Sequence, residues 1–314
     1  MCHVLAAGFG GHTMAHYAAP SGRTVYRSAV ARADVLRLYD DYVTRWPTPV
    51  EESDLSCRYG TVHVLSWGPP DGRPVLMLHA ASMAATSWAP NAAALAEAGF
   101  RCHAPDHIGE AGRSQLKDVG TFPRTPDEIG SLYVEVADAL GLGSVPVVGA
   151  SAGGHAAMRF ALVAPERVSR LALLGPMGIT SLGISAIVRM MLASLVPADA
   201  IARMTSRWAL GNAPSITEDY GEWFVTVLRS VASPPRVGRP VALTSEEMKQ
   251  ITQPVLLLLG DDDNLVGNAD RAAARASAFT DLRVEALSSG HLIGVERAVE
   301  SNRLLVDFLQ GKSS

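Results

Sequence analysis

Val145-Pro146-Val147-Val148-Gly149-Ala150-Ser151-Ala152-Gly153-Gly154-His155 is the stretch that decides how this chain is read. A short apolar run ends at Gly149, and small residues continue with a helical pattern from Ala152 to Val163, so a G-x-S-x-G motif sits on a strand-to-helix turn. A side chain held on so sharp a turn forces strained backbone angles on the serine. Only glycine or alanine two residues to either side lets strand and helix come that close. The turn points Ser151 away from the sheet, and the helix N-terminus behind it favours negative charge. A bare G-x-S-x-G also occurs in ordinary glycine-rich turns; the strand before it, the helix after it and the extra Gly154 favour a nucleophile elbow here.

The sequence on both sides of this turn keeps the same rhythm. Apolar runs at Val75–Leu78, Arg101–Ala104, Val168–Leu174, Val255–Leu259 and Arg283–Leu287 alternate with helical patterns at Trp88–Ala98, Thr125–Leu140 and Arg271–Ala278 and a last helix ending at Gly311. Strands alternating with helices predict an α/β architecture, with a mostly parallel sheet covered by helices on both faces. Ser56 to Trp67 alternates like a two-stranded ribbon turning at Gly60, so antiparallel strands open the sheet. Val30 to Trp46 reads as a helix outside it, stopped by Pro47-Thr48-Pro49.

From Gly175 to Gln253 the strand signal disappears. Helical patterns around Ile184–Ser194, Ala198–Ala209, Asp219–Val231 and Ser245–Gln250 replace it, the last opened by the capping box Thr244-Ser245-Glu246-Glu247. The expected organisation is a lead-in and helix over residues 1–55, an α/β core over 56–175 and 252–314, and an inserted helical lid over 176–251.

Composition narrows the function classes. The 314 residues are 48% hydrophobic and 18% charged with a net charge of −4, which argues against a nucleic-acid surface and an electrostatic membrane anchor. The three cysteines have neither zinc spacing nor a C-x-x-C pair. Met1 to Gly22 lacks the basic start of an export signal and is interrupted by Gly8-Phe9-Gly10-Gly11; it reads as a disordered lead-in. The uncharged run Leu171 to Val188 is cut by Gly175-Pro176-Met177-Gly178, so it reads as a strand and a loop rather than a membrane span. The expectation is a cytoplasmic protein acting on a small molecule, with no nucleic-acid or membrane partner.

A serine hydroxyl needs a base, and the base needs an acid to orient it, in the chain order Ser, acid, His. Downstream of His155, which its helix carries to another face, the only histidine is His291, in Ser288-Ser289-Gly290-His291 directly after a strand. The acid lies in Gly260-Asp261-Asp262-Asp263-Asn264, since Gly175-Pro176-Met177 after the preceding strand offers no carboxylate. Charge on a tetrahedral intermediate needs backbone N–H donors: one from Ala152, the other from the loop His79-Ala80-Ala81-Ser82, for which Ala81 is the candidate. His79 then holds this loop and is not a second base. These residues call for no metal and no cofactor.

Together the elbow, the His79 loop, the Asp106-x-x-Gly stretch ending at Ser114, the Gly260–Asp263 turn and the Gly290-His291 loop resemble the α/β-hydrolase superfamily from about Ser56 to the C-terminus. The helix with Tyr39-Asp40-Asp41-Tyr42 and Trp46-Pro47, and the run Leu256–Gly260, resemble a carboxylesterase-like branch of it. The resemblance implies the α/β-hydrolase fold and puts the acid three residues past Gly260, at Asp263, with Asp262 and Asp261 as the alternative registers. Two departures stand out. Ala80 occupies the place of the family's glycine after the loop histidine, and the Gly-x-Gly turn is one residue longer, Gly109-Glu110-Ala111-Gly112.

The function expected is hydrolysis of a carboxylic ester by Ser151, His291 and Asp263 through an acyl-enzyme. Serine at the elbow excludes relatives that attack with aspartate, whereas thioesterase, lactonase and C–C bond hydrolase chemistry need the same triad. A slow-turnover ligand-binding protein of the same shape is the alternative from another class. In the lid, Met177, Met190, Trp208 and Trp223 are candidates for an apolar substrate site, against the alternative that they form the lid's own core.

Overall fold

The computed structural model describes residues 25–312 apart from 119, 182–185, 187, 190–191, 193–198, 211–219 and 232–240. Its sheet is built from β1 (Val50–Cys57), β2 (Gly60–Trp67), β3 (Arg73–Leu78), β4 (Phe100–Pro105), β5 (Gln115–Leu116), β6 (Val145–Ala150), β7 (Val168–Leu174), β8 (Val255–Gly260) and β9 (Leu282–Leu287). The order is β1-β2-β4-β3-β6-β7-β8-β9, with the short β5 beside β2. Pairing is antiparallel for β1–β2 and β2–β4 and parallel from β4–β3 to the far edge. This is the predicted mostly parallel α/β sheet with antiparallel strands at its start.

Because successive strand residues face opposite sides, the central strands feed two separate cores. Leu256 and Leu258 of β8 join one, Val255, Leu257 and Leu259 the other. The first face is covered by α2 (Ala89–Glu97) and the C-terminal helix Ala298–Leu309, and the second by α3 (Pro126–Ala139), α4 (Ala152–Val163) and a helix at Ala269–Ala276. Both capping boxes form: Thr125 with Glu128, and Thr244 with Glu247, each side chain bonding the other's backbone N–H.

One boundary and one grouping differ from those read in the sequence. The ribbon starts at Val50, six residues before Ser56, because Glu51, Glu52 and Asp54 hide the alternation. These carboxylates lie on a strand and are matched by Arg101, Arg113 and His63. The helices after β7 also do not act as one body. Asp199–Leu210 and Gly221–Ser230 pack on the first face with the N-terminal helix, whereas Leu243, Met248 of helix Ser245–Gln250 and Ile251 belong to the core of the opposite face. Among the described residues no helix is long and apolar enough to cross a membrane.

The N-terminal helix α1 (Ala29–Thr44) is fastened to the sheet through one polar knot. Arg113 reaches Asp40 of α1 and Glu52 of β1, with its guanidinium 5.1 Å from the centre of the Tyr39 ring, while Tyr26 exchanges 3.0 Å hydrogen bonds with the backbone of Gly112. At the knot's centre His63, buried, meets Asp54 at 2.7 Å and Glu52 at 3.1 Å. Burial alone would lower the pKa of this imidazole; the two carboxylates, helped by Asp106, outweigh it and bring it to about 9. A histidine whose pKa is raised on folding stabilises the fold fully below its unfolded value and loses that contribution as pH climbs through the folded one. His63→Gln is therefore expected to cost roughly 2–3 kcal/mol at pH 6, a deficit that fades between about pH 6.5 and 9 in urea unfolding curves.

Candidate active site

Ser151 stands at the junction of β6 and α4 with φ +52° and ψ −115°, a backbone conformation that residues with a side chain rarely adopt. The junction is kept tight by absent side chains. A Cβ on Gly153 would lie 2.1 Å from the carbonyl oxygen of Leu78, and one on Gly149 2.5 Å from that of Gly153. Gly153→Ala is accordingly expected to destabilise the fold by about 3 kcal/mol, seen as a melting temperature lowered by roughly 6–10 °C. The backbone N–H of Ser151 donates to Leu174 at 3.0 Å and its carbonyl accepts from Met177 at 2.9 Å, so the elbow is also tied to the end of β7.

The Asp-rich turn after β8 separates its three carboxylates by burial. Asp261 and Asp262 are exposed; Asp263 turns inward and is buried. Its Oδ1 accepts the backbone N–H groups of Leu265 (2.7 Å) and Val266 (2.9 Å), and its Oδ2 lies 2.8 Å from Nδ1 of His291. Burial would raise the pKa of this carboxyl, but the attraction and hydrogen bond of His291 and the two N–H donors outweigh it and hold it below the ordinary carboxylate range. A carboxylate that only accepts fixes the proton of His291 on Nδ1 and leaves Nε2 as the free lone pair. Gly175, at the end of β7 with φ +48°, borders the pair: a Cβ there would sit 3.3 Å from Asp263 Oδ2 and 3.6 Å from His291 Nδ1.

Ser151 and His291 line one small cavity of about 30 Å³, with walls that are mostly apolar and include Trp88, Leu174, Ile293 and Val295. Ala80 also borders it, at the start of the loop after β3. That loop is pinned by two histidines whose rings lie 3.9 Å apart, tilted at 37°. His79 Nδ1 donates to the carbonyl of Ala80 (2.8 Å), while Nε2 of His79 accepts the backbone N–H of His107 (2.9 Å). Burial, then the neighbouring His107, pushes the pKa of His79 well below its usual value, so it stays neutral and structural. His155 lies elsewhere, buried beside Arg159, with a pKa lowered to about 4 chiefly by burial and next by that guanidinium.

Of the candidate substrate contacts, the described Met177, Trp208 and Trp223 are not among the residues lining this cavity. Trp223 is buried against Tyr39 and Tyr42, and its indole N–H donates to the carbonyl of Ser82 at 3.0 Å. Trp208 is half-buried, with the Arg189 guanidinium over its ring, and Met177 is half-buried beyond the elbow. Met190 lies outside the described residues. The lining residues that sequence reasoning missed, Trp88, Ile293 and Val295, each follow a segment already singled out, and adjacency to the His79 loop and to His291 was the signal that could have found them. Among the described residues no group of three or more His, Cys, Asp or Glu is arranged to hold a metal ion.

Comparison with known proteins yields one family. The model described as "alpha/beta hydrolase fold" matches residues 73–298. An uncharacterized carboxylesterase, nap, of Bacillus subtilis is 27% identical over 298 residues, covering 88% of this chain and 92% of its own. The carboxylesterase YbfK of the same organism is 28% identical over 281 residues, 87% of this chain and 92% of its own, and its crystal structure superposes with a TM-score of 0.83, covering 91% of this chain and 100% of that one at 26% identity. A 2-hydroxy-6-oxo-6-phenylhexa-2,4-dienoate hydrolase of Comamonas testosteroni is 27% identical over 261 residues, 76% of this chain and 88% of its own. With a strained serine turn of this kind on a sheet of this order, and a family match over most of its length, the chain belongs to the α/β-hydrolase fold family.

Proposed function

We propose that the protein hydrolyses a carboxylic ester through an acyl-enzyme formed on Ser151. The observation that carries this reading is the buried Asp263–His291 pair, with the histidine sharing a cavity with a serine held on a strained turn. His291 Nε2 takes the hydroxyl proton as Ser151 Oγ bonds to the ester carbonyl carbon, and the carbonyl electrons move onto oxygen. Ala152, the first residue of α4, has no carbonyl one turn earlier to bond, so its N–H is available for that oxyanion together with the N–H of Ala81. The intermediate collapses with loss of the alcohol, which leaves with the proton from His291. Water then repeats the sequence, giving its proton to His291 and releasing the acid as Ser151 is re-protonated.

Asp263 stays ionised throughout and stabilises the imidazolium that forms in each half-reaction. The apolar wall of Trp88, Leu174, Ile293 and Val295 suits an uncharged acyl or alkyl group. The two carboxylesterases cover more of this chain than the dienoate hydrolase does, which favours an ester over a C–C bond as the substrate. Labelling by a fluorophosphonate probe, followed by a panel of p-nitrophenyl esters, thioesters, lactones and a vinylogous 1,5-diketone, tests the reading. Covalent labelling of Ser151 with ester turnover is the expected result. An unlabelled, inactive protein would favour a ligand-binding role, and turnover of the diketone alone would favour C–C cleavage.

A further inference from the structure

The loop after β3 contains a second strained residue. Among the described residues only Ser82, at φ +61°, and Ser151 have positive φ without being glycine. The N–H of Met83 donates to the carbonyl of Ala80 at 3.1 Å, closing a tight turn with Ala81 and Ser82 at its corners, and a turn with positive φ at the second corner ordinarily takes glycine there. Ser82 is held in place by groups far away in the chain. Its N–H donates to Oε2 of Glu110 at 2.8 Å, and its carbonyl accepts the indole N–H of Trp223 at 3.0 Å.

We infer that Glu110, with Trp223, is a positioning residue for the oxyanion site, clamping the two peptide groups of Ser82 and so holding the neighbouring Ala81 N–H in a turn whose first residue, Ala80, lines the cavity. The inference rests on the serine-hydrolase reading above. Fixing the Ser82 N–H on Glu110 fixes the plane of the Ala81–Ser82 peptide, one residue from the donor, and keeps the Ser82 N–H from competing for the same direction. Preorganised donors are what an oxyanion site contributes, since they need not reorient as charge develops.

The two departures from the family pattern meet here. Ala80 bears a methyl where the family has glycine, at the head of the turn. Glu110 sits in the turn that is one residue longer and reaches back to it. Glu110 itself is buried, and its Oε1 has no hydrogen-bond partner. Burial, against the pull of the Ser82 N–H, brings its carboxyl up to about 8, so at neutral pH an uncharged acid accepts this bond. A glutamine preserves that acceptor and an alanine does not. Trp223 belongs to the helix Gly221–Ser230, which packs on α1, so the inserted helices and the N-terminal helix both bear on the turn.

The test compares full-length wild type, Glu110→Gln, Glu110→Ala, Trp223→Phe and Ser151→Ala by steady-state hydrolysis of p-nitrophenyl butyrate, rate of fluorophosphonate labelling and thermal melting. Loss of an oxyanion donor typically lowers kcat by 10²–10³-fold. A donor displaced but still present should cost roughly 10–100-fold in kcat and in labelling rate, with KM within about threefold, for both Glu110→Ala and Trp223→Phe. Glu110→Gln should recover to within about fivefold of wild type. The inference is overturned if folded Glu110→Ala keeps its kcat, or if glutamine fails as badly as alanine. Where Glu110→Ala does not fold, Trp223→Phe decides, and an unchanged kcat in that variant overturns the clamp. Turnover that survives Ser151→Ala would instead sink the serine-hydrolase reading, a result distinct from turnover that needs Ser151 and ignores Glu110.

Discussion

Ser151→Ala is expected to abolish fluorophosphonate labelling and to lower kcat for p-nitrophenyl esters by roughly 10⁶-fold, with KM little changed. The size follows from what is removed. Without the hydroxyl no acyl-enzyme can form, and the residual rate comes only from whatever the oxyanion donors and the binding wall do for direct attack by water. The substitution itself is mild, since Ser151 is buried and alanine leaves no large cavity. The melting temperature should stay within a few degrees, or rise, because a buried hydroxyl has gone while the backbone strain, which the alanine Cβ retains, is unchanged. A measured loss of less than about tenfold would mean that another nucleophile carries the reaction.

The second large effect is expected at Asp263→Asn, with kcat falling by roughly 10⁴-fold. Oδ2 of Asp263 accepts the Nδ1 proton of His291 at 2.8 Å, while Oδ1 is held by the N–H groups of Leu265 and Val266. An asparagine keeps its carbonyl oxygen on those two donors and turns its NH₂ toward the imidazole. A donor facing Nδ1 requires the proton on Nε2, and the ring then has no lone pair for Ser151. The neighbours supply the control: Asp261 and Asp262 are exposed, so Asp261→Asn and Asp262→Asn should retain activity to within about twofold. If the large loss fell on either of them instead, the assignment of the acid would be wrong. Residues acting as a unit are not additive, so Ser151→Ala combined with Asp263→Asn should be no slower than Ser151→Ala alone.

What could be read from the sequence was mostly what is decided locally. The strand-turn-helix around Ser151 depends on Gly149 and Gly153 a few residues away, and the capping boxes at Thr125 and Thr244 close within four residues. Run lengths and alternation gave the sheet. The place of Trp223 is not legible locally, because its partner, the carbonyl of Ser82, lies 141 residues earlier. A buried tryptophan on an amphipathic helix has the same local pattern whether it meets a ligand or a loop. The ends of helix Ser245–Gln250 are legible but the core it joins is not, since periodicity gives a helix a buried face without saying which surface covers it. The start of β1 was lost to Glu51, Glu52 and Asp54, whose counter-charges come from other strands and from the loop holding Arg113. Within the Asp-rich turn, residue type could not separate three adjacent carboxylates. Their burial does.

Gly175 bears on where such a site can carry its carboxylate. It ends β7, one strand nearer Ser151 than the turn that carries Asp263, and a side chain there would begin 3.6 Å from the imidazole nitrogen that Asp263 holds. Its positive φ is one that aspartate tolerates better than most residues. Two strand ends therefore converge on one histidine, and a carboxylate at the end of either would face the same imidazole nitrogen.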